Sequence, residues 1–173
     1  MFHKILVAID GSDASHDVFK TALDIAKADS AQRTLRERAN LLILHVLSFE
    51  EQNSVSIPMS TGLEYFQAAD SQTLEIDRER WQTYEQQSLD LLKSLVDRAT
   101  AAGAIATFHQ ISGGPGRKIC EFAESEEIDL IVMGRRGLSG VNEFLVGSVS
   151  NYVLHRAPCS VLIDKKRSIY RSS

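Results

Sequence analysis

Ile128-Asp-Leu-Ile-Val-Met133-Gly134-Arg-Arg-Gly137-Leu-Ser-Gly-Val-Asn-Glu-Phe-Leu-Val-Gly147-Ser148-Val-Ser150 is the stretch on which the reading of this chain turns. Its first residues form a short apolar run with no polar alternation, as expected of a strand covered on both faces. A glycine-punctuated loop follows. From Ser148 a helical pattern then runs to the residues before Pro158, with His155 and Arg156 suited to the negative end of its dipole. Strand, glycine loop and helix in that order belong to a parallel α/β sheet.

Working outward, four more segments read as strands: Lys4–Ile9, Leu41–Leu47, Ala104–Ile111 and Ser160–Ile163. Helical patterns separate them. Val18, Ala22, Leu23, Ile25 and Ala26 share one helix face. Trp81, Tyr84, Ser88, Leu91, Leu92, Leu95, Ala99 and Ala102 make a longer stripe, and Gly103 supplies its stop. A further helix is predicted near Arg117–Ser125, behind the Pro115-Gly116 turn. The alternating order implies a doubly wound, five-stranded parallel α/β sheet with helices on both faces. Residues 1–165 read as a single domain and 166–173 as a basic C-terminal tail. One stretch, about 48–77, exceeds the usual length of such connections. It reads either as a surface insertion or as a lid or partner-binding loop.

Composition narrows the function classes. The 173 residues include 19 Lys and Arg against 23 Asp and Glu, a formal charge of −4. Without a basic stripe there is no electrostatic footprint for nucleic acid. No apolar run approaches the ~18 residues of a membrane span, and Ile5–Ile9 stops at an aspartate without a cleavage site, which argues against a signal peptide. Two cysteines, Cys120 and Cys159, cannot build a disulfide framework or a structural zinc site. The expectation is a cytoplasmic protein without a membrane anchor.

In open parallel sheets, ligands bind beyond the carboxyl ends of the strands, at the point where helix direction switches. Two such ends carry suggestive chemistry: Ile9-Asp10-Gly11-Ser12, and the loop from Gly134 to Ser150. Glycines let backbone approach a ligand, and amides at a helix start attract anions. Ser148 is expected to cap the last helix, leaving the amides of Val149 and Ser150 for phosphate. Arg135 and Arg136 add positive charge. Asp10 suits a ligand hydroxyl or amine, or else only caps its own turn. The loop is neither a Walker sequence nor a dinucleotide fingerprint.

The spacing Gly134-x2-Gly137-x9-Gly147-Ser148 resembles the nucleotide-binding motif of the universal stress protein family. The opening Ile5–Ser12, the Leu44-His-Val46 segment, Asp129–Gly134 and Ala157-Pro-Cys-Ser-Val-Leu162 are similar to that family too. With the motif complete, the chain resembles the ATP-binding branch, and the resemblance implies a Rossmann-like fold of the adenine nucleotide alpha hydrolase type. It implies that Asp10, with the backbone of Ala8 and Ile9, lies against adenine and ribose, and that Val46 reads the adenine edge. Met133 and Gly134 would approach the ribose. Arg136 and Gly137 would line the phosphate path, and Gly147, Ser148 and Val149 would cradle the phosphates.

Simpler readings stand beside these. Val46 is explained by core packing, so its role rests on the resemblance alone. His45 reads as a satisfied strand histidine, and Trp81 and Tyr84 as core. The leading functional expectation is a regulatory stress-response protein binding ATP or AMP, with Mg2+ carried on the phosphates. The alternative is a slow ATP-hydrolysing or phosphate-transferring enzyme, but Glu143 is the only carboxylate in sequence beside the loop. A phosphorylated receiver domain is rejected, because the third strand ends Ile111-Ser112-Gly113 without an acceptor aspartate. The last strand, with no charge or proline between Ser160 and Ile163, is expected at a sheet edge where a second copy pairs to form a homodimer.

Overall fold

The computed structural model describes residues 2–30, 39–48, 71–135 and 147–165. Strand β1 (Lys4–Ile9) leads to helix α1 (Ala14–Ser30) and β2 (Asn40–Leu47). Helix α2 (Ser71–Ala101), β3 (Ile105–Ser112) and α3 (Pro115–Ser125) follow. The chain continues through β4 (Leu130–Gly134) and α4 (Ser148–Arg156) to β5 (Ser160–Asp164). The five strands form one sheet in the order β3-β2-β1-β4-β5, and every pair is parallel.

The period of two in each strand divides the core between the two faces of the sheet. Ile5, Val7, Ile9, Leu41, Ile43, Leu130 and Val132 face one cluster, completed by Val18, Phe19 and Ala22 of α1 and Leu92, Leu95 and Ala99 of α2. Leu6, Ala8, Leu42, Leu44, Val46, Ile131 and Met133 face the other, under Ile119 and Ala123 of α3 and Val153 of α4. Burial of a side chain such as Leu92 or Ile131 stabilises by about 1.5–3 kcal/mol. Phe19, absent from the helix face expected for α1, is fully buried. Leu23 and Ile25, which were expected on that face, pack only at its margin.

Helix α2 starts at Ser71, well before the Trp81 at which its apolar stripe begins. Of the long connection, residues 49–70 lie outside the described residues, as does the tail 166–173. The helix stops where expected: Gly103 has φ +82°, its amide bonds Thr100 O at 2.9 Å, and the Ala104 amide reaches back to Ala99 O at 3.0 Å. That left-handed step is open to glycine and strained for other residues. Gly116 matters for another reason. A Cβ there would stand 2.9 Å from the Tyr152 ring, so glycine permits the close contact of α3 with α4.

At the amino end of the sheet, Asp129 holds two strands together. Its Oδ2 accepts the amides of His3 at 2.6 Å and Lys4 at 2.8 Å, and its own amide bonds Lys4 O at 3.0 Å. Burial pushes the Asp129 carboxyl up. The two amides, with the nearby charges of His3 and the N-terminus, outweigh that and hold it below its ordinary value.

Candidate functional site

The last rung shared by β1 and β4 is Ala8 with Met133. Beyond it the two strands part. Ile9 still pairs with His45 on β2, while Gly134 pairs with Asp164 on β5, and the Arg135 amide extends that ladder to Asp164 O at 3.1 Å. The crevice that opens is the topological switch point of the sheet, where open α/β folds bind ligands.

Asp10 stands on the β1 side of this crevice. Its Oδ1 accepts the Ser12 amide at 3.0 Å and the Ser12 hydroxyl, and lies 2.9 Å from Ser15 Oγ, whose proton is shared with the closer Asp10 carbonyl oxygen at 2.6 Å. The Asp10 amide in turn donates to Ser15 Oγ at 3.0 Å. This ring of bonds is the turn-capping role considered for Asp10, and it fixes the carboxylate in one orientation. Among the described residues none bonds Oδ2, so one acceptor oxygen remains for a ligand hydroxyl or amine. Ser12 and Ser15 were not singled out from sequence. The spacing Asp10-x-Ser12-x-x-Ser15 before an apolar helix is the local signal that could have found them.

The β4 side is built by the start of α4. The expectation for Ser148 is corrected here: Gly147 is the N-cap, with φ −59° and ψ 157° and no side-chain cap bond, and Ser148 is the first helical residue with its side chain exposed. Helical geometry leaves the first amides of α4 without intrahelical acceptors. The Gly147 amide is engaged, donating to Arg135 O at 2.8 Å. The Ser150 hydroxyl is engaged as well, donating to Gly134 O at 2.8 Å and lying 3.2 Å from Arg135 O. The amides of Ser148, Val149 and Ser150 therefore stand at the positive end of the α4 dipole, with no described acceptor.

Ala8, Ile9, Asp10, Met133 and Gly134 thus lie where β1 and β4 part, and the segment Gly147–Ser150 is tied to the end of β4. Val46 lies one strand away, a residue past the Ile9–His45 rung. Ala8, Val46 and Met133 commit their side chains to the core, so their reach toward a ligand is through the main chain. Arg136 and Gly137 lie outside the described residues, as does Glu143.

His45 is a satisfied core histidine, as its strand position suggested. It is buried, its Nδ1 bonds the Ser88 hydroxyl, and its Nε2 faces Tyr84 Oη at 3.4 Å. Tyr84 stacks edge-on against both His45 and Trp81, each at 5.8 Å between ring centres. Cys120 and Cys159 behave as small apolar residues. Burial pushes both thiols up; Arg156 partly offsets this at Cys120. No helix among the described residues is long and apolar enough to cross a membrane.

Comparison with known proteins agrees with this architecture. Residues 1–165 match the family model described as the universal stress protein family. The chain is 34% identical over 163 residues to universal stress protein YxiE of Bacillus subtilis, covering 94% of this chain and 99% of that one. It is 32% identical over 162 residues to universal stress protein Sll1388 of Synechocystis, covering 94% and 97%. Among solved structures, a universal stress protein in complex with cAMP aligns with a TM-score of 0.60 at 25% identity, over 95% of this chain and 97% of that one. An Arabidopsis thaliana universal stress protein family protein with AMP bound shares the fold, with a TM-score of 0.60 at 20% identity over 96% and 93% of the two chains.

Proposed function

The chain belongs to the universal stress protein family, and from that premise we propose that it is an adenine-nucleotide-binding member acting as a regulatory dimer in stress response. One observation carries the reading. Where β1 and β4 part, a fixed carboxylate whose Oδ2 is unbonded among the described residues lies at the end of β1, and the end of β4 carries a helix start whose amides have no acceptor among the described residues. A nucleotide offers the complement of both, hydroxyls at one end and phosphates at the other. The family's complexes with cAMP and AMP support adenine as the base.

In this reading Asp10 and the main chain of Ala8 and Ile9 meet adenine and ribose, with Val46 at the adenine edge and Met133 and Gly134 beside the ribose. Arg136 and Gly137 line the phosphate path. The amides of Ser148, Val149 and Ser150 take the phosphates, with Mg2+ held through phosphate oxygens when ATP is bound. The nucleotide serves as a signal rather than a substrate consumed at the ~1–10³ s⁻¹ of typical enzymes.

Calorimetric titration of wild type and Gly147→Val with ATP and AMP tests the site. Valine is compatible with φ −59°, so the substitution adds bulk where backbone would meet phosphate without straining the turn. Loss of binding in a folded variant is the expected result, and undiminished affinity would overturn the assignment.

The dimer reading is supported by β5, which among the described residues is an edge strand paired only with β4. A second copy of that edge gives a closed two-fold contact. Light scattering at tens of micromolar is expected to give the mass of two chains; a mass of one chain would reject it.

A further inference from the structure

We infer that Ser150 is a positioning residue for the phosphate end of the crevice, acting through its hydroxyl on the strand rather than on the ligand. The inference rests on the nucleotide reading above and assigns this side chain its part in it. Ser150 is 3% exposed, and a buried hydroxyl is tolerated only where its bonds are made. Its one proton points at the carbonyl pair that ends β4, 2.8 Å from Gly134 O and 3.2 Å from Arg135 O. Those carbonyls lie past the last rung with β1, where the strand has lost that neighbour.

Arg135 O also accepts the Gly147 amide at 2.8 Å. The two ends of the first turn of α4, its cap and its third residue, are thereby fastened to the same strand end. Ser148 and Val149 sit between those two fixed points. Their amides are held in place before any ligand arrives, and this preorganisation is what lets a few neutral donors bind an anion well. The hydroxyl cannot serve phosphate as well, because its single proton is already given to the strand. The Ser150 amide keeps the phosphate-facing role expected from sequence, and the geometry adds the clasp made by its side chain.

The test is calorimetry with ATP, AMP and adenosine on wild type, Ser150→Ala and Ser150→Thr. Ser150→Ala should weaken ATP and AMP by about tenfold, the size of one hydrogen bond, and leave adenosine within about twofold. Ser150→Thr keeps the hydroxyl and should restore the preference for phosphate. A folded Ser150→Ala protein with the wild-type ratio of ATP to adenosine affinity would overturn the inference while leaving the nucleotide reading intact. Wild type that binds none of the three ligands would remove both. If Ser150→Ala does not fold, Ser150→Cys, whose thiol is a weaker donor in the same shape, carries the comparison, with an intermediate ratio expected and an unchanged one overturning the clasp.

Discussion

At the amino end of the sheet, Asp129 presents one carboxylate oxygen to two strand amides, and its work ends there. At the carboxyl end, Asp10 also gathers amide and hydroxyl donors on one oxygen, but its donors come from its own turn. The first arrangement joins β4 to β1 across more than a hundred residues of chain. The second joins nothing distant; it orients a group and leaves an oxygen open. Sequence position alone makes the two residues look alike, as aspartates at the margins of apolar strands. What separates them is which end of a parallel sheet they occupy. Amino ends are closed by packing and turns, whereas at the carboxyl ends strands that part company leave polar groups uncommitted.

The largest test of this contrast is Asp10→Ala. It should weaken adenine-nucleotide binding by about 10- to 100-fold, the range of a hydrogen bond to a charged acceptor. Calorimetry checks it, and a change confined to thermal stability would make Asp10 a turn cap like any other. Asp129→Ala should do the reverse. It orphans the His3 and Lys4 amides and should cost about 1–2 kcal/mol in urea unfolding, the solvent-facing His3 bond contributing less. Nucleotide affinity should stay put; a parallel fall in binding would show the two ends to be coupled.

A third probe is Gly103→Ala, at the turn that enters β3. Placing alanine at φ +82° should cost about 1 kcal/mol of stability with no effect on binding. An unchanged midpoint would mean that the turn can relax. The smallest effect concerns acid. The Asp129 carboxyl is held below its ordinary value in the fold, so its stabilisation is present above the unfolded value and is lost as pH falls through the folded one. The stability gap between wild type and Asp129→Asn should therefore shrink as pH drops into and below the carboxylate range. A gap independent of pH would assign the effect to shape rather than charge.

The sequence by itself determined the elements and the class of fold. Continuous apolar runs such as Leu41–Leu44 need cover on both faces, helical stripes supply it, and Gly103 stops α2 because only glycine takes that step easily. It also marked candidate segments for a site, because glycine loops and strand-end aspartates are local signals. The placement of those groups was decided only in three dimensions. Nothing local says that β4 pairs with β1 as far as Met133 and then leaves it for β5, yet that parting makes the crevice. Nor does the sequence distinguish Gly147 from Ser148 as the cap, because the choice depends on which amide finds Arg135 O. Phe19 shows the same limit in the core: a helix face is a period, and which residues on its margin are buried depends on the neighbour it meets. Hydrogen bonds between distant segments, like those of Ser150 and Asp129, exist only once the chain has folded.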